Sequence, residues 1–267
     1  KWKVMRRVYA LLVRLSLHSP ISVFVPLTSI SADSFLLPPP TTLVGALAYP
    51  YFRLRGSYME LVNDCSPAVE LVEQGKVLYA AAAPVYTYVT FRTVERVYQH
   101  IYLRKDYWSR LEMAYTIAAR RCTLTDQLYA FYLITDPELI RCAYGIVRVG
   151  RKEGLVSVEE VVFEEASKII RDDTECETRF YFPRAIAQDY DRDAGVIERL
   201  PRLTPENFRK SISDPRSIPY EEYVVPSPLS LKPVSVILGE RGVVMTMATS
   251  TELLCIPVPR EVLEHGR

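Results

Sequence analysis

Histidine is nearly absent: 267 residues hold three, His18, His100 and His265. No second histidine stands near enough to any of them to suggest a paired acid and base, and no group of His, Cys and carboxylate residues has ligand spacing. Neither a metal centre nor a cofactor is therefore expected. Cysteine is sparse as well. Cys65, Cys122, Cys142, Cys176 and Cys255 stand far apart with no CxxC pair, which predicts neither a zinc site nor a disulfide framework but reduced thiols in a cytosol. A phosphate-binding GxxxxGK[ST] loop is missing, so nucleotide hydrolysis is not indicated. Long apolar runs are missing too. The uncharged stretch from Ser34 to Phe52 is broken by Pro38, Pro39, Pro40 and Pro50, which makes a poor membrane span. The basic start KWKVMRR resembles the first part of a signal peptide, but its apolar run, Val8 to Val13, is short and Arg14 ends it. The expectation is a soluble, cytoplasmic protein without a membrane partner.

What is present is enough to build a large core. Hydrophobic residues make up 49% of the chain and charged residues 24%, a composition of globular domains rather than disorder. The net charge of +1 conceals an uneven distribution. Lys1 to Arg55 contain seven basic residues and one acid, Asp33, and Phe91 to Arg121 contain seven more against three acids. Between Glu153 and Glu177 nine acids face two basic residues. Such sorting suits one basic face turned to a polyanion and an acidic face elsewhere, although solvated surfaces also cluster charge.

Residues Phe35 to Phe52 read FLLPPPTTLVGALAYPYF. Three prolines hold the backbone extended, Thr41 and Thr42 are placed to cap a helix, and Gly45 with Ala46 would let that helix lie close on a partner. These three residues, Thr41, Thr42 and Gly45, are expected to serve architecture. The spacing predicts a strand over Arg7 to Leu17, apolar on both faces and hence central, then a helix over Thr42 to Leu54 distorted at Pro50. A β-rich segment follows over Val77 to Phe91, then a strand over Leu128 to Ile134. Asp136 and Pro137 open a second helix through about Tyr144, and a last strand runs over Leu155 to Phe163. This β-α-β-β-α-β order is the ferredoxin-like plan of many RNA-recognition modules, an α+β fold, and occupies residues 1–165.

Two segments exceed that plan. Between the second and third strands, about 91–122, Arg92, Arg96, Arg104, Lys105, Arg110, Arg120 and Arg121 alternate with Phe91, Tyr98, Tyr102, Tyr107, Trp108 and Tyr115. Cations neutralise phosphates and rings stack on unpaired bases, a pattern that suits single-stranded RNA; a hairpin with its rings packed inward is the plainer alternative. The second segment, 166–267, reads as a β-rich C-terminal extension with a hairpin around Gly239 to Gly242. Before the fourth strand stands RVGRKEGLVSV, Arg148 to Val158, where Gly150 and Gly154 permit sharp turns and Arg151 and Lys152 add positive charge.

The strand leading into PPPTTLVGALA, the RVGRKEGLVSV loop and the aromatic, basic insertion together resemble the Cas5 family of CRISPR-associated proteins, in its archaeal type I-A branch, within the RAMP superfamily. The resemblance covers Arg7 to about Glu165. It implies a non-catalytic subunit of a Cascade surveillance complex that caps the 5′ handle of crRNA and meets the backbone and large subunits, with the small subunit a further candidate partner and target DNA reached through the complex. Residues 92–121 would form the thumb of that fold and Gly150 to Gly154 a loop near the handle. RNA contacts would then fall to Arg14, His18, Arg92, Arg96, Arg104, Lys105, Trp108, Arg110, Arg148, Gly150, Arg151 and Lys152. Because some relatives cleave precursor crRNA without a metal, the rival expectation is an endoribonuclease with His18 as its base, and a third is a protein-only scaffold.

Overall fold

The computed structural model describes residues 7–25, 33–59, 61–98, 115–209 and 217–264. The fold is mixed α and β, rich in sheet and poor in helix. Its first strand, β1 (Tyr9–Leu17), leads through the proline segment into α1 (Pro40–Leu54), the longest described helix. A short α2 (Val69–Glu73) precedes β2 (Val77–Pro84). The chain then leaves the body as β3 (Val89–Tyr98) and returns as β4 (Tyr115–Leu124) before β5 (Gln127–Ile134), α3 (Glu138–Ala143) and β6 (Val156–Glu165).

Four of these strands form an antiparallel sheet in the order β2-β5-β1-β6. The central pair runs Tyr9 opposite Ile134 through Ser16 opposite Gln127. Every residue of β5 from Leu128 to Ile134 is buried, as are Ala10 to Val13 of β1. Alternating side chains of a strand point to opposite faces, so burial of consecutive residues means that both faces of the sheet are covered. On one face the Tyr132 hydroxyl donates to the Leu43 carbonyl of α1 at 3.0 Å. On the other, Tyr129 and Phe131 meet Phe180 at 6.3 and 6.1 Å between ring centroids.

Phe180 belongs to the C-terminal region, which supplies α4 (Ala166–Ile169), β7 (Ile170–Arg171), β8 (Glu175–Thr178), β9 (Phe182–Pro183), β10 (Ala187–Tyr190), β11 (Gly195–Pro201) and β12 (Tyr220–Pro226). It ends in β13 (Val234–Leu238), β14 (Gly242–Ala248), β15 (Leu253–Pro259) and α5 (Arg260–Glu264). Three small sheets result, ordered β10-β13-β8, β11-β12-β9 and β15-β14-β7. Tyr181 locks them to the first half: its N–H donates to the Ala82 carbonyl at 3.2 Å and its hydroxyl to the Pro38 carbonyl at 2.9 Å. One hydrophobic cluster accordingly runs from β1 and β5 through Phe180 and Tyr223 to Met245 and Ile256.

Several expectations need correction. The helix starts two residues early, at Pro40, with Pro39 as its cap and no side-chain capping hydrogen bond. Thr41 and Thr42 therefore lie inside the first turn, where the Pro39 carbonyl accepts the N–H groups of Thr42 and Leu43 at 2.9 and 3.2 Å. The glycine that permits close approach is not Gly45, around which a Cβ would meet nothing within 4 Å, but Gly145, where it would come 2.8 Å from Cβ of Pro50. The Gly239 to Gly242 turn is no hairpin. The Gly242 N–H does donate to the Gly239 carbonyl at 3.0 Å, yet β13 pairs with β10 and β8 while β14 pairs with β15 and β7. The turn is a corner between two sheets.

Two cysteines also depart from the expected thiols. Cys176 of β8 and Cys255 of β15 form a disulfide with Cα atoms 5.9 Å apart, across 79 residues of sequence, while Cys65, Cys122 and Cys142 are free. Sequence spacing could not show this, because separate strands bring the two sulfurs together. Closing a loop of this length restricts the unfolded chain by roughly 4 kcal/mol in the chain-entropy account. Reduction is expected to lower the melting midpoint by roughly 5–15 °C, measured by thermal unfolding with and without a thiol reductant. An identical midpoint in both conditions, and in Cys176→Ser, contradicts it.

Candidate nucleic-acid interface

The last two turns of α1 carry Tyr49, Phe52 and Arg53 along one side, as residues three and four apart must lie. Facing them is the loop from Arg148 to Lys152, whose shape follows from hydrogen bonds and two glycines. The Val149 N–H donates to the Gly154 carbonyl at 2.8 Å and the Gly154 N–H to the Arg151 carbonyl at 3.0 Å. Gly150 sits at φ +80°, and a Cβ there would come 2.9 Å from Cγ2 of Val23; at Gly154 a Cβ would come 2.3 Å from the Val149 carbonyl oxygen. A side chain at either position is incompatible with the loop. The Ser19 hydroxyl, donating to the Glu153 carbonyl, ties the loop to the end of β1.

Between helix and loop lies a cavity of about 350 Å³, closed at its sides by Ser57 to Met59 and by Ser66 to Ala68. Arg53, Arg148, Arg151 and Lys152 line it, and among the described residues no Asp or Glu does. Among the described residues, none of these four cations has a carboxylate partner. Aromatic faces hold the three arginines instead. The Arg53 guanidinium lies 5.0 Å from the Tyr49 ring centroid and 4.8 Å from that of Tyr58; Arg148 lies 5.2 Å from Tyr49 and Arg151 4.5 Å from Phe24. Nη1 of Arg151 is buried without a hydrogen-bond partner. Tyr58 and Met59 are each 66% exposed at the rim, where a ring and a thioether are open to a ligand. Positive charge without a carboxylate partner among the described residues, beside the exposed ring of Tyr58, suits a strand of nucleic acid, whose phosphates and bases need those two kinds of partner.

A ribbon of β3 and β4 stands beside this cavity, paired from Val89 opposite Leu124 to Tyr98 opposite Tyr115. Its base is fastened to the body: the Thr123 hydroxyl donates to the Leu36 carbonyl at 2.7 Å, and Arg121 pairs with Asp33 at 3.0 Å. Nearby, Glu198 accepts the Leu36 N–H at 3.1 Å, and burial pushes its carboxyl up to about 7 against the pull of that hydrogen bond and of Arg121.

The structure brings together Arg148, Gly150, Arg151 and Lys152, and adds Gly45 to the same cavity, so Gly45 lines the candidate site rather than a packing contact. Arg92 is exposed on β3, opposite Arg121, and Arg96 stands in the same strand opposite Ile117. Arg104, Lys105, Trp108 and Arg110 lie outside the described residues. Arg14 is half-buried, 3.4 Å from Glu160, which also accepts the N–H and hydroxyl of Ser250 at 2.8 and 3.1 Å. That arginine helps dock the β14–β15 turn on the sheet. His18 is exposed, with Nε2 at 2.5 Å from the Ser157 hydroxyl. Residues not singled out from sequence are Tyr49, Arg53, Tyr58 and Phe24. The Tyr49 and Arg53 pair, four apart in YPYFR, was the available signal.

Two curated proteins of Saccharolobus solfataricus resemble the chain in sequence. The one named CRISPR-associated protein Cas5 3 is 32% identical over 176 residues, spanning 64% of this chain and 70% of its own length. The one named CRISPR system aCascade subunit Cas5 1 is 33% identical over the same span. The chain belongs to the Cas5 family. No family model matches it. The crystal structure of a CRISPR protein from Archaeoglobus fulgidus shares the fold, with a TM-score of 0.55 at 17% identity over 92% of this chain and 98% of the other. In this Cas5-family chain both faces of the central sheet are covered, while Arg92 of the ribbon and Arg53 and Lys152 of the cavity are exposed.

Proposed function

We propose that this Cas5-family chain is a non-catalytic, RNA-binding subunit of a type I-A Cascade complex, capping the 5′ handle of crRNA and anchoring neighbouring subunits. The cavity between α1 and the Arg148 to Lys152 loop is the observation that carries the reading: four cations without carboxylate partners among the described residues line it, three of them over aromatic rings, beside a two-stranded ribbon. Phosphates of the handle would neutralise Arg53, Arg148, Arg151 and Lys152, while Tyr58 offers a face to an unstacked base. The ribbon is then the thumb. The order β2-β5-β1-β6 supports a ferredoxin-like unit over residues 1–165, with 166–267 as the extension that covers its second face. Backbone, large and small subunits are the proposed protein partners, and target DNA is met through the guide by base pairing. No described helix is long and apolar enough to cross a membrane, and the proposed place of action is the cytoplasm.

Against a ribonuclease role, His18, the one histidine among the described residues, is engaged by the Ser157 hydroxyl rather than by a group that would make it a stronger base. Incubating the full chain with repeat RNA in EDTA is expected to leave that RNA intact while a retardation assay shows binding. Site-specific cleavage that His18→Ala abolishes would overturn the non-catalytic reading.

A further inference from the structure

Polar groups seat the β3–β4 ribbon on the body, and Ser22, Ser34, Thr123 and Thr125 are all buried there. The Ser22 hydroxyl donates to the Arg121 carbonyl at 3.0 Å and lies 3.1 Å from that of Ser34. Arg121 pairs with Asp33 at 3.0 Å and donates to the Ser34 carbonyl at 3.4 Å, while Ile21 and Thr123 exchange N–H to carbonyl bonds of 2.8 Å each. The Leu36 peptide is gripped from both sides. Its carbonyl accepts the Thr123 hydroxyl at 2.7 Å, and the Glu198 carboxyl oxygens accept its N–H at 3.1 and 3.3 Å. Glu198 belongs to β11, so this carboxyl ties the seat of the ribbon to the C-terminal region. A second tie runs from the Tyr88 hydroxyl to the Pro226 carbonyl of β12.

Among the described residues, the charged or titratable groups around the Glu198 carboxyl are Asp33, Arg121 and Tyr88, with Tyr223 opposite it in β12. Together they offer it little net charge. Arg121 is already matched by Asp33, the same Asp33 repels a second carboxylate, and burial holds Tyr88 and Tyr223 neutral. One amide N–H is a poorer partner for an ionised, half-buried carboxylate than water is. A proton removes that cost, and the neutral acid still has an oxygen to accept the Leu36 N–H.

We infer that Glu198 is a proton-operated latch for the seat of the ribbon: protonated, it clamps the Leu36 peptide against Thr123, and on ionisation it is drawn toward water and the seat loosens. The latch concerns only what holds the ribbon, so RNA has no part in it. A group that binds its proton more tightly when seated than in water gives stability that is full at low pH and is lost as pH rises. Burial pushes the seated carboxyl up to about 7, against about 4.3 for glutamate in an open chain. The loss is therefore spread between those two values and ends above the higher one.

Hydrogen exchange of the full chain, followed by NMR and corrected for the intrinsic effect of pH on exchange, tests the latch. The reporters are the N–H groups of Leu36, Ile21 and Thr123, each bonded across the seat. From pH 5 to pH 8 their protection should fall roughly 50- to 100-fold in wild type. Glu198→Gln keeps an acceptor for Leu36 but cannot ionise, so its protection should stay level over the same range. Level protection in wild type overturns the latch, as does a fall of the same size in Glu198→Gln. Should Glu198→Gln fail to fold, Asp33→Asn decides. That change frees Arg121 to pair with Glu198 and should shrink the wild-type fall severalfold, whereas an undiminished fall overturns the latch. No RNA enters this measurement, so its failure leaves the RNA reading untouched.

Discussion

Phe180→Ala should cost the folded chain about 3–5 kcal/mol, one of the largest losses a single substitution here can cause. The ring is 1% exposed and stands against Tyr129 and Phe131 of the central strand β5, stacked on the first at 29° and edge-on to the second at 70°. Truncation leaves a void between two rigid layers, each fixed by its own hydrogen-bonded strands, so collapse cannot refill it. Chemical denaturation with its slope unchanged measures the loss. A cost below about 1 kcal/mol would mean that the C-terminal region does not seal the sheet.

The second large effect concerns binding. Reversing two charges, Arg53→Glu with Arg148→Glu, should lower affinity for single-stranded RNA by roughly 10²-fold or more at about 0.1 M salt, because two phosphate contacts are lost and two repulsions gained. Both side chains lie at the cavity rather than in the core, so the melting midpoint should move little. Equal affinity of the variant and wild type in a titration at fixed salt would remove the cavity from the RNA path. A steep drop with an unchanged fold would place it there.

These two effects fall on different sides of what the residues make legible. Alternating apolar residues in β1 and the continuous run in β5 announce central strands, and α1 with its prolines, the ribbon strands and the glycine loop are all readable locally. What covers the far face of the sheet is not. Phe180 and Tyr181 reach β5 and Ala82 over long separations, and nothing in RFYFPR says whether its rings point to a sheet or to one another. The same limit hid the Cys176 to Cys255 link, which depends on where β8 and β15 stop. For the site, the loop half was visible as charge between glycines. The helix half was hidden because YPYFR reads as the apolar end of a helix, and only the arrival of Arg148 over Tyr49 makes that end a wall of the candidate site. Thr41 and Thr42 misled for a local reason: proline at Pro40 starts the helix before they can cap it.

The most direct measurement is photo-crosslinking of the full chain to a single-stranded RNA carrying a photoreactive base, followed by identification of the modified peptides. Adducts on the peptides holding Tyr49 to Met59, Arg148 to Lys152 and the β3–β4 ribbon are the predicted result. Adducts confined to the C-terminal sheets from β8 to β15, with none around Tyr49 or Arg148, would contradict the account.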